Sequence, residues 1–238
     1  MTIKVLGTGS KGNCYIITSK SGQKLILECG ISYYKIIKEI ENVSDIKCVL
    51  ISHSHIDHDC KMGKVRCSDK FKQSLIPTYS PENLNIGTMY IQDDFIFVPL
   101  PCKHNVECYG YYIEVDGKKI LFATDTQVIP RINIECDYYL LEVNYQMEIL
   151  ENMMYYLQTK NDEENIQKLI HYQNVYNNHS ALETVMDYLE ANIKHQPKGI
   201  YAIHGSNSGF IIDEEVEEEL YKYCNNVKIL KEGDVIEC

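Results

Sequence analysis

The sequence predicts an α/β (α+β) chain in which strands pack face to face and helices lie outside them. Three observations carry that expectation. Short apolar, β-branched runs bounded by Gly and Ser fill the first part of the chain. From about residue 145 the hydrophobic period changes to a helical one. Strands come first and helices after in each half, the pattern of sheets covered by helices. In chain order, residues 2–6 (TIKVL), 13–18 (NCYIIT) and 24–28 (KLILE) read as strands. Residues 32–41 read as a helix, because Ile36, Ile37 and Ile40 share one face. Residues 47–51 (KCVLI) read as a buried strand. The middle is strand-rich again, at 87–91, 94–100, 109–115 and 118–123, and the last two flank Asp116-Gly117, a two-residue hairpin signal. A strand at 137–141 follows, then helices at 145–158, 162–173 and 180–193, the last stopped by Pro197 and Gly199. A strand at 200–203, a helix at 213–223 and two short strands close the sequence. No low-complexity linker or internal repeat divides it, so residues 1–238 read as one domain.

Composition narrows the function classes. The 238 residues carry 23 Lys+Arg against 34 Asp+Glu, a net charge of −11. That balance argues against a protein held to nucleic acid by a broad basic face, and it leaves room for a local positive site. Residues 1–10 show no basic stretch followed by an apolar run, and no apolar run approaches a membrane span. The expectation is a cytoplasmic location with reduced thiols. Ten cysteines occur without a C-x-x-C pair, and Cys14, Cys29 and Cys48 sit in strand context where a thiol packs as a small hydrophobe.

The sharpest feature is His53-Ser54-His55-Ile56-Asp57-His58 at the end of a buried strand. Imidazole and carboxylate are good ligands for zinc and similar ions. In extended chain His53 and His55 point the same way and can grip one ion, and the turn that follows can aim Asp57 and His58 at a second.

His-x-His-x-Asp-His after an apolar strand resembles the signature of the metallo-β-lactamase fold superfamily, and further segments extend the resemblance in order. Gly7-Thr8-Gly9-Ser10-Lys11-Gly12-Asn13-Cys14 and Leu27-Glu28-Cys29-Gly30-Ile31-Ser32 are similar to the first segments of a bacterial subgroup, the YycJ-like (WalJ-type) hydrolases. Pro101-Cys102-Lys103-His104, closed by Tyr109-Gly110-Tyr111, resembles the third motif, as also found in tRNase Z. Ala123-Thr124-Asp125-Thr126 resembles the fourth motif, and Ala202-Ile203-His204-Gly205-Ser206 the fifth. Leu141-Glu142-Val143-Asn144-Tyr145 and Asn178-His179-Ser180-Ala181 are similar to two subgroup segments.

The resemblance implies a four-layer αβ/βα sandwich and a site with two divalent ions, Zn first, with Mn or Fe as alternatives. It implies that His53, His55 and His104 hold the first ion and Asp57, His58 and His204 the second, with Asp125 between them. Read without the family, His104 is a loop histidine, Asp125 is equally suited to cap a helix, and His204 is a lone histidine at a strand end. The implied activity is hydrolysis of a phosphodiester by a hydroxide held between the ions, with Asp57 orienting it and His179 protonating the leaving oxygen. The bland reading of His179 is an incidental residue beside Asn178 or Ser180 capping the next helix. Glu142 either orients His179 or is a buried structural acid. His171 and His195 match no motif and read as surface residues.

The subgroup resemblance implies a DNA exonuclease or a related phosphodiesterase. Lys61, Lys64, Arg66, Lys70 and Lys72 form a basic run after the metal motif that suits local contact with a phosphate backbone, or equally a solvated helix face. Tyr33, Tyr34, Tyr111 and Tyr112 are candidates to stack bases or simply to pack. The acidic run from Asp213 to Glu219 belongs away from any nucleic-acid path. The alternative activity is hydrolysis of a small molecule, a cyclic phosphodiester, thioester or lactone, and a metal-binding scaffold without catalysis is a third class. The chain departs from the subgroup at Asn105, where Asp is usual, at Asp59-Cys60-Lys61 and at Gly205. The stretch 145–175 matches no motif.

Overall fold

Alternation of side chains builds this chain into two facing sheets. The computed structural model describes residues 1–160, 162–206 and 208–238. The chain begins with strands β1 (Thr2–Gly7), β2 (Cys14–Thr18) and β3 (Lys24–Leu27), helix α1 (Tyr33–Lys38) and strand β4 (Ile46–Leu50). A small hairpin of β5 (Lys61–Met62) and β6 (Val65–Arg66) leads to α2 (Cys67–Gln73) and β7 (Thr78–Tyr79). Then come β8 (Tyr90–Gln92), β9 (Phe95–Cys102), β10 (Cys108–Val115), β11 (Lys118–Ala123) and β12 (Tyr138–Glu142). Helices α3 (Met147–Gln158), α4 (Glu163–Asn178) and α5 (Leu182–Asn192) follow. Strand β13 (Gly199–Ile203), helix α6 (Asp213–Leu220) and strands β14 (Val227–Ile229) and β15 (Val235–Glu237) complete the order.

The first sheet runs β15-β1-β2-β3-β4-β7 and the second β14-β13-β12-β11-β10-β9-β8. Their central strands are apolar on both faces. Tyr15, Ile17, Leu25 and Leu27 of the first sheet meet Phe97, Tyr111, Phe122, Leu140 and Tyr201 of the second in the inter-sheet core. The alternate residues along each strand point the other way. Cys14, Ile16 and Ile26 pack under Ile36 of α1 and Phe71 of α2. Leu121, Leu141 and Ala202 pack under Val185 and Leu189 of α5 and Val216 of α6. The result is four layers, helix, sheet, sheet, helix, as the sequence predicts. A satellite cluster of Leu150, Val175 and Phe210 ties α3 and α4 to the second half.

The differences have local causes. Between residues 51 and 87 the sequence signals only a helix face for the basic run. The structure has α2 there, preceded by a two-residue hairpin and followed by β7, all too short to show a period. The helix expected at 162–173 continues to Asn178. The helix expected at 180–193 begins at Leu182 with Ala181 at its N-cap. Ser180 therefore caps nothing, and its hydroxyl donates to the Thr126 carbonyl instead. Cys14, Cys29 and Cys48 are fully buried among apolar neighbours, as expected. Tyr111 and Tyr112 are core residues, whereas Tyr34 is exposed. Among the described residues no helix is long and apolar enough to cross a membrane.

Candidate metal centre

The strand pairing brings one set of strand ends to a common edge. Strands β3 and β4 run parallel in the first sheet, and β11, β12 and β13 run parallel in the second. The residues that leave their C-terminal ends are Glu28, Ser52–His58, Asp125, Glu142 and His204. His104 leaves β9, which lies antiparallel to β10 and so ends at the same edge. Open α/β sheets bind ligands outside these ends. Glu28, Asp125 and His204 leave their strands at φ of 62°, 46° and 53°. A left-handed turn at a non-glycine residue costs energy, and it persists where surrounding structure holds it.

Ligand atoms of His53, His55, His104 and Asp125 lie within 4.8 Å of one another, and so do those of Asp57, His58, Asp125 and His204. The two groups meet at the Asp125 carboxylate, one oxygen to each. Its Oδ2 is 3.7 Å from His53 Nε2 and 3.8 Å from His104 Nε2. Its Oδ1 is 3.3 Å from both His58 Nε2 and His204 Nε2. Asp57 Oδ2 is 3.5 Å from His58 Nε2 and 3.4 Å from His204 Nε2.

Two observations show that these residues fit metal ions. His53 Nε2 is buried without a hydrogen-bond partner among the described residues, a state that is rare unless something else satisfies the nitrogen. The far nitrogens of His53, His58, His104 and His204 are engaged, which leaves their inward Nε2 atoms available as donors to a metal. His53 Nδ1 is 2.9 Å from Ser52 Oγ, and His104 Nδ1 is 3.0 Å from the Asn178 carbonyl. His58 Nδ1 faces Glu28 Oε1 at 3.5 Å.

The electrostatics follow from packing. Burial and the neighbouring His58 push His53 down to about 2, so it stays neutral. Burial opposes the charge on Asp125, yet His204 and His58 hold its carboxyl well below the usual range. Burial likewise opposes a charged His179, but the Glu142 carboxylate raises it above its ordinary value. Glu142 is 1% exposed and fully engaged. Its Oε1 lies 2.6 Å from His179 Nδ1 and 3.1 Å from His204 Nδ1. Its Oε2 accepts from the N–H groups of Thr126 and Ser180 at 3.0 and 3.2 Å. Glu142 therefore contacts both His179 and His204 through one oxygen.

All seven candidate ligands come together, and His179 stands beside them, its ring stacked on that of His204 at 5.5 Å. A cavity of about 360 Å³ opens onto the cluster, and α4 walls it with His171, Asn174 and Asn178. His171 is thus a surface residue on the rim of the site, whereas His195 is exposed and pairs with Glu135 at 2.8 Å. The basic run divides. Arg66 and Lys72 line a neighbouring cavity, Lys70 lies over the Tyr34 ring at 5.7 Å, and Lys61 and Lys64 are exposed at the β5–β6 turn. Helix α6, with the acidic run, contributes no described residue to either cavity.

Sequence reasoning assigns no role to Glu28, Asn13 or Gly30. Glu28 accepts the Ser52 N–H at 3.2 Å on each oxygen. Asn13 accepts the Gly9 N–H at 2.8 Å and donates to the Asp57 carbonyl at 3.1 Å. The available signal for Glu28 is a carboxylate at the exit of an apolar strand, the same signal that marks Asp125. Gly30 leaves no room for a side chain, since a Cβ there would fall 1.7 Å from the Asp57 carbonyl oxygen.

YhfI of Bacillus subtilis, a metallo-β-lactamase fold protein, superposes with a TM-score of 0.71 at 15% identity, covering 100% of this chain and 99% of that one. The chain has the metallo-β-lactamase fold. The short form of human tRNase Z superposes with a TM-score of 0.61 at 12% identity, covering 100% and 99% of the two chains. In sequence, a family model described as anti-Pycsar protein Apyc1 matches residues 1–88. An RNase J-like protein of Methanocaldococcus jannaschii is 26% identical over 147 residues, 48% of this chain. The match spans only 33% of that protein's length. In this metallo-β-lactamase fold the candidate metal centre occupies the rim between the two sheets, where the loops of both converge.

Proposed function

We propose that this chain is a dinuclear metal-dependent phosphodiesterase acting on nucleic acid. The observation that carries the reading is the division of Asp125, whose two oxygens face two separate sets of imidazoles while a paired acid, His179 with Glu142, faces the same cavity. The order of motifs that resembles the YycJ-like hydrolases, and the likeness to the RNase J-like protein and to tRNase Z, support it. His53, His55 and His104 would hold one ion, Asp57, His58 and His204 the other, with Asp125 shared. Zinc suits this donor set, and manganese or iron share its preferences. Such ions, when bound, supply positive charge against phosphoryl oxygens and make water acidic near neutral pH.

The chain's own residues then do the rest. Asp57, held by His58 and His204 on one side, keeps its second oxygen for orienting the attacking water. His179 donates a proton to the departing oxygen, and Glu142 keeps it protonated by stabilising its charge. Glu142 bonds His179 and His204 at once, so the acid and the second ligand set are aligned by one carboxylate.

A second reading, hydrolysis of a small cyclic phosphodiester, draws on the cavity itself. About 360 Å³ matches a mononucleotide-sized ligand, and no Lys or Arg is among the described residues that line it. Incubating metal-loaded protein with end-labelled single- and double-stranded DNA, with RNA and with a cyclic mononucleotide separates the two. Cleavage of the polymers supports the nuclease reading. Turnover confined to the cyclic substrate replaces it with the second, and turnover of thioester or lactone substrates alone overturns both.

A further inference from the structure

A second cavity, of about 480 Å³, opens beside the first. The chain draws the partition between them. His53 and Ser54 line the second cavity while His55 and Asp57 line the first. In the facing loop His104 and Asn105 line the first while Val106 and Glu107 line the second. A molecule too long for the first cavity therefore meets the second on crossing this ridge.

Two cations of the basic run face that space, Arg66 and Lys72. Arg66 is tethered to the histidine loop, because its Nη1 donates to the Ser54 carbonyl at 3.0 Å and to Asp59 Oδ2 at 3.4 Å. Both bonds use one end of the guanidinium. Nη2, Nε and the Lys72 ammonium have no partner among the described residues. Most acids around the cavity are already engaged. Asp59 accepts from the Ser68 N–H and hydroxyl at 3.0 and 2.7 Å. Asp69 accepts the Arg66 N–H at 3.1 Å, and Glu107 accepts the Tyr109 hydroxyl at 2.7 Å. Glu82 is exposed. Asp59, Asp69, Glu82 and Glu107 keep their charge around this space, so the feature suited to a phosphate group is direct contact with the open half of the arginine fork and the Lys72 ammonium, not net charge.

We propose that this second cavity binds a phosphate of the substrate next to the one that is cleaved. This rests on the phosphodiesterase reading above and specifies it: the preferred substrate carries at least one flanking phosphate, placed against Arg66 and Lys72. Of the five cations in the run, these two supply the contact, and Lys61, Lys64 and Lys70 do not.

The test is equilibrium binding of metal-loaded protein to three probes. The first is a dinucleotide with an uncleavable methylphosphonate linkage, the second is the same molecule with an added terminal phosphate, and the third is inorganic phosphate. The added phosphate should tighten binding to the wild type about tenfold, the scale of a charge-assisted contact. Lys72→Glu should abolish that gain. An equal gain in both proteins, or none in the wild type, overturns the proposal. Inorganic phosphate bound by the wild type and lost in Lys72→Glu, with no gain for the phosphorylated dinucleotide, also overturns it and marks a free-anion site. Turnover of bis(p-nitrophenyl) phosphate by the wild type, which needs no flanking phosphate, reports separately on the phosphodiesterase reading.

Discussion

Replacing Gly30 by Ala probes how the fold holds the histidine loop. The new Cβ would lie 1.7 Å from the Asp57 carbonyl oxygen and 2.7 Å from the Asn13 nitrogen, where real contacts essentially never fall under 3.0 Å. Both neighbours are backbone, so no side chain can swing away, and the segments must part by more than an ångström. Three hydrogen bonds close this junction. Asn13 N donates to Asp57 O at 2.8 Å, Gly30 N to Asn13 O at 2.9 Å and Cys29 N to His58 O at 2.9 Å. Overpacking alone costs about 1–3 kcal/mol, and each bond lost adds about 1 kcal/mol. With all three bonds lost the expected cost is about 4–6 kcal/mol, which in a chain of this size lowers the melting temperature by at least about 8 °C. Asp57 and His58 move with the junction, so affinity for the second metal equivalent falls as well. Circular dichroism melts and calorimetric zinc titration measure both. Gly205→Ala is the contrast: its Cβ would meet the Ile211 Cδ1 at 3.0 Å, the end of a flexible side chain, and the Val143 carbonyl oxygen at 3.7 Å, an ordinary contact, so stability should change little. A Gly30→Ala protein that melts within about 2 °C of the wild type and binds metal unchanged would refute the packing argument.

Two further outcomes follow from other parts of the molecule. Phe122 is fully buried between the sheets with its ring edge-on to Tyr15 at 5.7 Å, so Phe122→Ala should cost about 3–5 kcal/mol in urea unfolding; a loss under about 1 kcal/mol would mean that the inter-sheet core is not packed there. Glu142 raises His179 above its ordinary value, so the protonated acid persists as pH climbs past the usual histidine range and activity falls only beyond it. In Glu142→Gln the alkaline limb of the kcat profile should move to lower pH, and an unmoved limb would remove His179 from the acid role.

The fold was legible wherever both faces of a strand are buried. Runs such as CYIIT and ILFA bury every residue or nearly so, and their neighbours in sequence fall alternately into the inter-sheet core and under a helix. The short elements β5, β6, α2 and β7 were not, because two to seven residues carry too little pattern. Four of the seven ligand candidates, His53, His55, Asp57 and His58, lie in one motif at a strand exit, and only the order of the motifs along the chain picks out the other three, His104, Asp125 and His204. The supporting atoms were harder. Glu28 acts on His58 across 30 residues and Asn13 on Asp57 across 44, and such contacts depend on which strands pair rather than on local spacing. The wall formed by α4 escaped for the same reason. His171, Asn174 and Asn178 share one helix face, but only the packing of α4 through Val175 against Phe210 and Leu150 turns that face toward the site. The net −11 left room for local cations, and Arg66 and Lys72 line the cavity beside the histidine loop together with Asp59, Asp69, Glu82 and Glu107.

The central claim is that Asp125 joins two metal positions. Metal content after equilibrium dialysis against zinc, measured by mass spectrometry on wild type and on Asp125→Asn, tests it most directly. The expected result is two equivalents in the wild type and a marked loss of the second in the variant, with the fold retained by circular dichroism. A wild type that retains less than one equivalent, or an Asp125→Asn protein that still holds two with unchanged affinity, would contradict it.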